Sequence, residues 1–354
     1  MRKQILFALY ALCTLASIAQ QSTTQTSTSQ EQRRPRFDSQ NPSVHDPVMA
    51  RGEDGKYYIF ATGMNVSVLS SPDMKEWTRE RSALPQTPAW AVDTVPGYRG
   101  HTWAPDISYH NGLWHLYYSC STFGKNGSAI GLAVNKTLDP ASPDFRWEDK
   151  GMVIASHRNV DNFNAIDPNL IVDKKGQPYL TFGSFWDGIQ LTKLSKKDFQ
   201  TPITKPVTIS RRINKEVNLK NIKHTQEGNN TIEAGDNAVE APFIIKRGKY
   251  YYLFVSFDYC CRGEESTYKT VYGRSKKIEG PYLDKEGKRM DQGGGTHLYG
   301  PDNENFGIGH NSVYEFDGQW YFVSHAYKKA HDGNAHLFIR PLLFDKKGWI
   351  VSEE

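Results

Sequence analysis

The sequence is short of the features that mark several common protein classes. It has four cysteines in 354 residues, and Cys13 lies in an N-terminal segment read below as a removed signal. The remaining three, Cys120, Cys260 and Cys261, are odd in number and include an adjacent pair, so no disulfide framework is expected. A zinc site is not expected either, because adjacent cysteines rarely both reach one metal and no Cys-x-x-Cys occurs. A buried free thiol and a Cys-Cys turn are the reading. An excess of one charge is also lacking: 43 Lys and Arg face 39 Asp and Glu, a net charge of +4 that drops toward neutrality once Arg2 and Lys3 are removed. With no basic stripe, and no basic cluster interleaved with aromatics, a nucleic-acid binder is excluded. A Gly-rich phosphate loop, a Ser nucleophile elbow and a His-Glu-x-x-His zinc motif are all missing.

Long apolar runs are absent after the first 19 residues, MRKQILFALYALCTLASIA. That stretch has a basic start, a short apolar core and small residues Ser17 and Ala19 near its end. It predicts a secretory signal peptide over 1–19, and no membrane span is expected in the chain. Tyr10 and Leu12 suit a lipoprotein signal around Cys13 poorly. Residues 20–36 are polar and of low complexity, and a disordered leader is expected there. The chain is therefore read as exported, to the periplasm or the outside, and as a monomer.

What is abundant is aromatic and turn-forming: 19 Tyr, 17 Phe and 8 Trp accompany 29 Gly and 18 Pro. Such a composition reads as β-rich with many turns. One pattern then recurs five times, each copy an apolar run opened by Pro or Ser, a Gly turn and an aromatic run. Pro47, Pro105, Pro168, Pro242 and Ser312 anchor the copies, spaced 58, 63, 74 and 70 residues apart. The turn glycines Gly55, Gly112, Gly176, Gly248 and Gly318 follow after 8, 7, 8, 6 and 6 residues, as in hairpins. Each interval has room for two further strands. The chain is therefore expected to be all-β, a five-bladed β-propeller over 37–354 with its active site at the axial mouth. The stretch 205–230 reads as a surface insertion. The short last repeat either lacks outer strands or takes them from residues 37–45.

Departures from the shared pattern point to chemistry. Just before the anchors stand Asp46, Ala104, Asp167, Ala241 and Asn311, and one residue earlier His45, Trp103, Ile166, Glu240 and His310. A single Asp-Pro is ordinarily a turn opening whose carboxylate caps a backbone N–H. Three carboxylates in register on one closed architecture are another matter, since crowding drives their pKa values apart and makes one an acid and another a base. Two such carboxyls across a cleft suggest glycoside hydrolysis. Trp103, Phe123, Phe163, Phe185 and Trp186 offer rings for sugar stacking, with core packing an equal reading for Phe163 and Phe185.

The chain resembles glycoside hydrolase family 43, most closely its endo-α-1,5-L-arabinanases. The resemblance runs from about Val44 to the C-terminus. It is carried by Val44-His45-Asp46-Pro47, His101-Thr102-Trp103-Ala104-Pro105-Asp106, Asn164-Ala165-Ile166-Asp167-Pro168-Asn169, Val239-Glu240-Ala241-Pro242-Phe243 and Gly309-His310-Asn311. It implies a five-bladed propeller and an inverting hydrolase of arabinan, with Asp46 as general base and Glu240 as general acid. Asp167 is then the third carboxylate, raising the acid's pKa and orienting it. For inversion the base and acid are expected roughly 6.5–9.5 Å apart. His310 matches an axial histidine that helps hold a metal ion, calcium, largely through water. Trp103, Phe123, Asn164 and Ser184 match positions lining the arabinan cleft. An exo-acting arabinofuranosidase or β-xylosidase on the same scaffold, or a non-catalytic sugar-binding propeller, are the alternatives.

Overall fold

The five Gly turns each hold a residue with φ between 55° and 82°, a left-handed conformation that glycine adopts at no steric cost. They close five antiparallel hairpins. The first strands are Val48–Arg51, His101–His110, Asn169–Val172, Val239–Arg247 and Asn305–Phe316. Their partners are Tyr57–Ala61, Leu113–Cys120, Pro178–Phe182, Tyr250–Phe257 and Gln319–Lys328. The computed structural model describes residues 37–158, 160–213 and 237–351. The expected signal peptide and leader lie outside the described residues, as does the part of the 205–230 insertion from 214 onward.

Further strands extend each hairpin on the side of its second strand. Ser67–Ser71 and Thr78–Arg79 complete a four-stranded sheet in the first repeat, and Ile189–Lys193 and Val207–Ser210 do so in the third. In the second, Ser128–Asn135 and Glu148–Ser156 are joined by the short strand Gly63–Met64 at the other edge. The fourth and fifth repeats form one eight-stranded sheet, connected through a single parallel pairing of Lys269 with Ile308. The last repeat does not lack outer strands, and residues 37–45 add only an edge contact to those it supplies itself. Asn334–Phe344 and Ile350–Val351 follow its hairpin, while Ser43 bridges His336 and the Leu337 N–H donates to the Pro42 carbonyl.

Adjacent sheets pack face to face. Tyr117, Ile130 and Leu132 of the second repeat share a buried cluster with Leu170, Leu180 and Phe182 of the third. Tyr179, Ile189 and Leu191 meet Ile244, Leu253 and Val255 of the fourth in another. Burial at roughly 25 cal/mol per Å² of apolar surface is the main stabilising term. The first strands also touch in succession, first to second, second to third, third to fourth, fourth to fifth, and fifth back to first. Buried polar side chains satisfy backbone groups across these boundaries. Asp106 accepts from the Leu170 N–H at 2.7 Å, Asn169 Oδ1 from the Ile244 N–H at 2.8 Å, and the Tyr314 hydroxyl from the Met49 N–H at 3.0 Å. Without such partners these buried backbone donors would each be costly.

Candidate active site

One residue at the head of each hairpin adopts a left-handed backbone: Asp46, Ala104, Asp167, Ala241 and His310, with φ between 38° and 57°. Four of them precede proline, which excludes the helical region and narrows the choice. Left-handed non-glycine residues cost on the order of 1–3 kcal/mol each and persist where neighbours hold them. The register of the fifth repeat is therefore one residue from that expected, since His310, not Asn311, stands level with Asp46 and Asp167. No proline fixes that copy, so the sequence offered no anchor.

The holders come from the preceding repeat. In or just beyond each second strand, facing the hairpin head, stand Thr62, Ser119, Gly183, Ser256 and His325 in turn, of which Ser119, Ser256 and His325 pair with Trp103, Glu240 and Gly309. The Ala104 N–H donates to Thr62 Oγ1 at 2.8 Å, Asp167 N–H to Ser119 Oγ at 3.0 Å, and His310 N–H to Ser256 Oγ at 2.8 Å. The Asp46 N–H donates to His325 Nδ1 at 3.0 Å, returning the pattern from the fifth repeat to the first. Gly183 has no side chain to offer, and the Ala241 N–H goes to Asp167 Oδ2 at 3.1 Å instead. Asp167 is thereby tied to the residue next to Glu240.

The expected carboxylates and His310 come together. His310 Nδ1 lies 3.0 Å from Asp46 Oδ1, and the Thr62 hydroxyl donates to Asp46 Oδ2 at 2.5 Å. Burial alone would push Asp46 up, but the charge and hydrogen bond of His310 hold its carboxyl well below the usual range. Conversely, burial would lower His310, and Asp46, Asp167 and Glu240 raise it to about 9. His325, also beside Asp46, stays neutral: burial pushes it well below the ordinary value, and its Nδ1 is spent accepting the Asp46 N–H. Its Nε2 lies 3.1 Å from the Tyr327 hydroxyl.

Glu240 accepts from the Ser184 hydroxyl at 2.7 Å and the Tyr268 hydroxyl at 2.8 Å. Burial raises its pKa, those two bonds and His310 oppose the rise, and Asp46 adds to it. Asp167 is raised too, first by burial, against His310 and with Glu240 and Asp46. Burial is thus the first cause of the rise at Glu240. Asp46 is held low while Glu240 and Asp167 are raised, opposed environments of the kind that let neighbouring carboxyls take different proton-transfer roles.

Ser184, expected in the substrate cleft, is buried against Glu240. Asn164 is buried as well, with Oδ1 unpartnered in the protein. Trp103 is half-buried, its indole donating to His101 Nδ1 at 2.8 Å. Phe123 is 80% exposed, four residues beyond the Ser119 that holds Asp167. Phe163 packs edge-on against Phe182 in the core. Thr62, His325, Ser256 and Tyr268 were not singled out by the sequence reading, although the small or polar residue ending each aromatic run was visible in it. The cysteine expectation changes too: Cys260 and Cys261 form a disulfide between neighbours, while Cys120 is free and buried as expected. Pairing within an adjacent Cys-Cys closes a ring too small for spacing rules to register.

Among the described residues, His45, Asp46 and His325 are the donors close enough to share a metal, their ligand atoms lying within 4.8 Å of one another. His310 is not in that group. Its Nδ1 is engaged by Asp46.

An extracellular exo-α-(1→5)-L-arabinofuranosidase of Cellvibrio japonicus is 46% identical over 311 residues, covering 88% of this chain and 86% of that one. An extracellular endo-α-(1→5)-L-arabinanase of Bacillus subtilis is 41% identical, covering 87% of each. The crystal structure of an exo-1,5-α-L-arabinanase from a bovine ruminal metagenomic library superposes with a TM-score of 0.83 at 60% identity, covering 91% of this chain and all of that one. The model of glycosyl hydrolases family 43 matches residues 40–350, the span that holds all five hairpins and every carboxylate of the site, and the chain belongs to that family.

Proposed function

We propose that this protein hydrolyses α-1,5-linked L-arabinofuranosyl bonds of arabinan with inversion, on a five-bladed propeller. The juxtaposition of Asp46, held low by His310, with Glu240, raised by burial, carries this reading. In it, Asp46 accepts a proton from a water that attacks the anomeric carbon, and Glu240 gives its proton to the departing glycosidic oxygen. One water is consumed and one C–O bond breaks. Asp167, bound to the Ala241 N–H, fixes the backbone beside the acid. The five-blade reading is supported by five hairpins, the cyclic succession of first strands and the backbone bond from Asp46 to His325.

The residue resemblance favours internal cleavage, and the relative with an endo name stands at 41% identity. The relatives at 46% and 60% carry exo names, and on that ground we propose release from a chain end as the main mode. Incubation with linear debranched arabinan, with product sizes followed over time, decides this. Short products from the outset support the exo mode, a spread of oligosaccharides supports endo cleavage, and no hydrolysis at all favours a sugar-binding propeller. Phe123 and Trp103 are proposed to present rings to the chain.

Calcium belongs to the same proposal. His310 in its neutral form would help hold the ion, with water supplying the oxygens calcium prefers, and the ion's charge would displace the ring proton that the carboxylates otherwise favour. Activity lost on chelation and restored by calcium supports it; activity indifferent to chelator removes it. Secretion and a monomeric state are proposed as well. The two curated relatives are named extracellular, and no described helix is long and apolar enough to cross a membrane.

A further inference from the structure

Tyr250 opens the second strand of the fourth repeat, and Ser256, six residues on, pairs with Glu240. At about 3.3 Å per residue, the turn end of this hairpin lies about 20 Å along the strand from the acid. A cavity of about 470 Å³ opens there, at the paired ends of the Tyr250–Phe257 and Lys269–Ser275 strands, lined mostly by the segment 276–287 and closed by Trp349 of the turn before Ile350–Val351. Its lining combines four cations, Arg274, Lys276, Lys277 and Lys285, with the rings of Tyr250 and Trp349. Among the described residues none of these cations forms an ion pair with a carboxylate. Asp284, which also lines the cavity, is buried and spends its carboxylate on the N–H groups of Glu286, Lys288 and Gly295.

Arg274 is held in place: its guanidinium lies 4.3 Å from the Tyr250 ring centre and 3.7 Å from that of Trp349, and Nη1 donates to the Lys347 carbonyl at 2.6 Å. A fork fixed in this way keeps further N–H donors and loses little freedom on binding a carboxylate. Uncompensated cations in one concavity attract an anion. The volume suits a small ligand or a short piece of a polymer. Inorganic phosphate would make no use of the rings, and a neutral glycan would leave the cations unpaired. A sugar acid uses both, its carboxylate on the cations and its C–H groups against the surfaces of the Tyr250 and Trp349 rings that line the cavity.

We propose that this cleft is a second polysaccharide-binding site, remote from the catalytic carboxyls, that takes an acidic, uronate-bearing glycan chain. The choice of a glycan rests on family membership, not on arabinan being the substrate, so a protein inactive on arabinan leaves it standing. The test is native gel electrophoresis of the full chain through polygalacturonate, neutral linear arabinan or dextran sulfate. The wild type is expected to be retarded by polygalacturonate. The triple variant Lys276→Gln, Lys277→Gln, Lys285→Gln, confined to exposed side chains, should bind it at least tenfold more weakly while hydrolysing a short soluble substrate at the wild-type rate. Arg274→Lys, which keeps the charge and loses the stacked fork, should weaken polygalacturonate binding more than dextran sulfate binding. An unretarded wild type, a triple variant that binds as well as wild type, or dextran sulfate binding as tight as polygalacturonate would each overturn the proposal.

Discussion

At Glu240 two hydroxyl donors, from Ser184 and Tyr268, work against the burial that raises the carboxyl's pKa. Removing one of them tests that balance. Tyr268→Phe takes away a bond that favours the carboxylate, so the pKa of Glu240 should rise further and the basic limb of the kcat/KM profile should move to higher pH. An unmoved limb would mean that another group sets it. Glu240→Gln and Asp46→Asn should each lower kcat on an arabino-oligosaccharide by roughly a thousandfold, within the range of general acid–base contributions, with thermal unfolding close to wild type. Unfolding of Asp46→Asn would instead show that the carboxylate serves the turn.

The elements that matter most to the site are the hairpin ends, where second-strand residues hold the next repeat's left-handed backbone. Thr62 does this twice, accepting from the Ala104 N–H and donating to Asp46. Thr62→Val keeps shape and loses both bonds, leaving a buried donor unpaired. Urea unfolding should show a loss of about 1–3 kcal/mol, with a fall in kcat larger than any change in KM. Ser119 and Ser256 fill the same position for Asp167 and His310. These hydroxyls were legible only as the polar ends of aromatic runs. Their partners lie in the next repeat, 42 to 54 residues away, and no local propensity connects them.

For the whole molecule, stability depends on carboxyls buried where the repeats meet. Burial raises Asp106 to about 7, against the bonds from the Leu170 N–H and the Asn169 amide. A group raised in this way contributes stability in full below its unfolded value of about 4, and that contribution is lost as pH rises through about 7. Asp106→Asn retains an acceptor for Leu170 and has no proton to lose. The fall in Tm between pH 5 and pH 8.5 should therefore be smaller in the variant than in the wild type, as calorimetry at the two pH values would show. The sequence by itself determined the all-β class, the five hairpins and the carboxylates, because strand periodicity, Gly turns and Asp-Pro or Glu-Ala-Pro heads are local and recur in register. Only the tertiary structure decided which carboxyl is pushed down and which up, that Ser184 bonds Glu240, that His310 and not Asn311 stands level with Asp46 and Asp167, and that four cations share one cleft. Burial and proximity set all four, and both arise only when distant repeats close on one another.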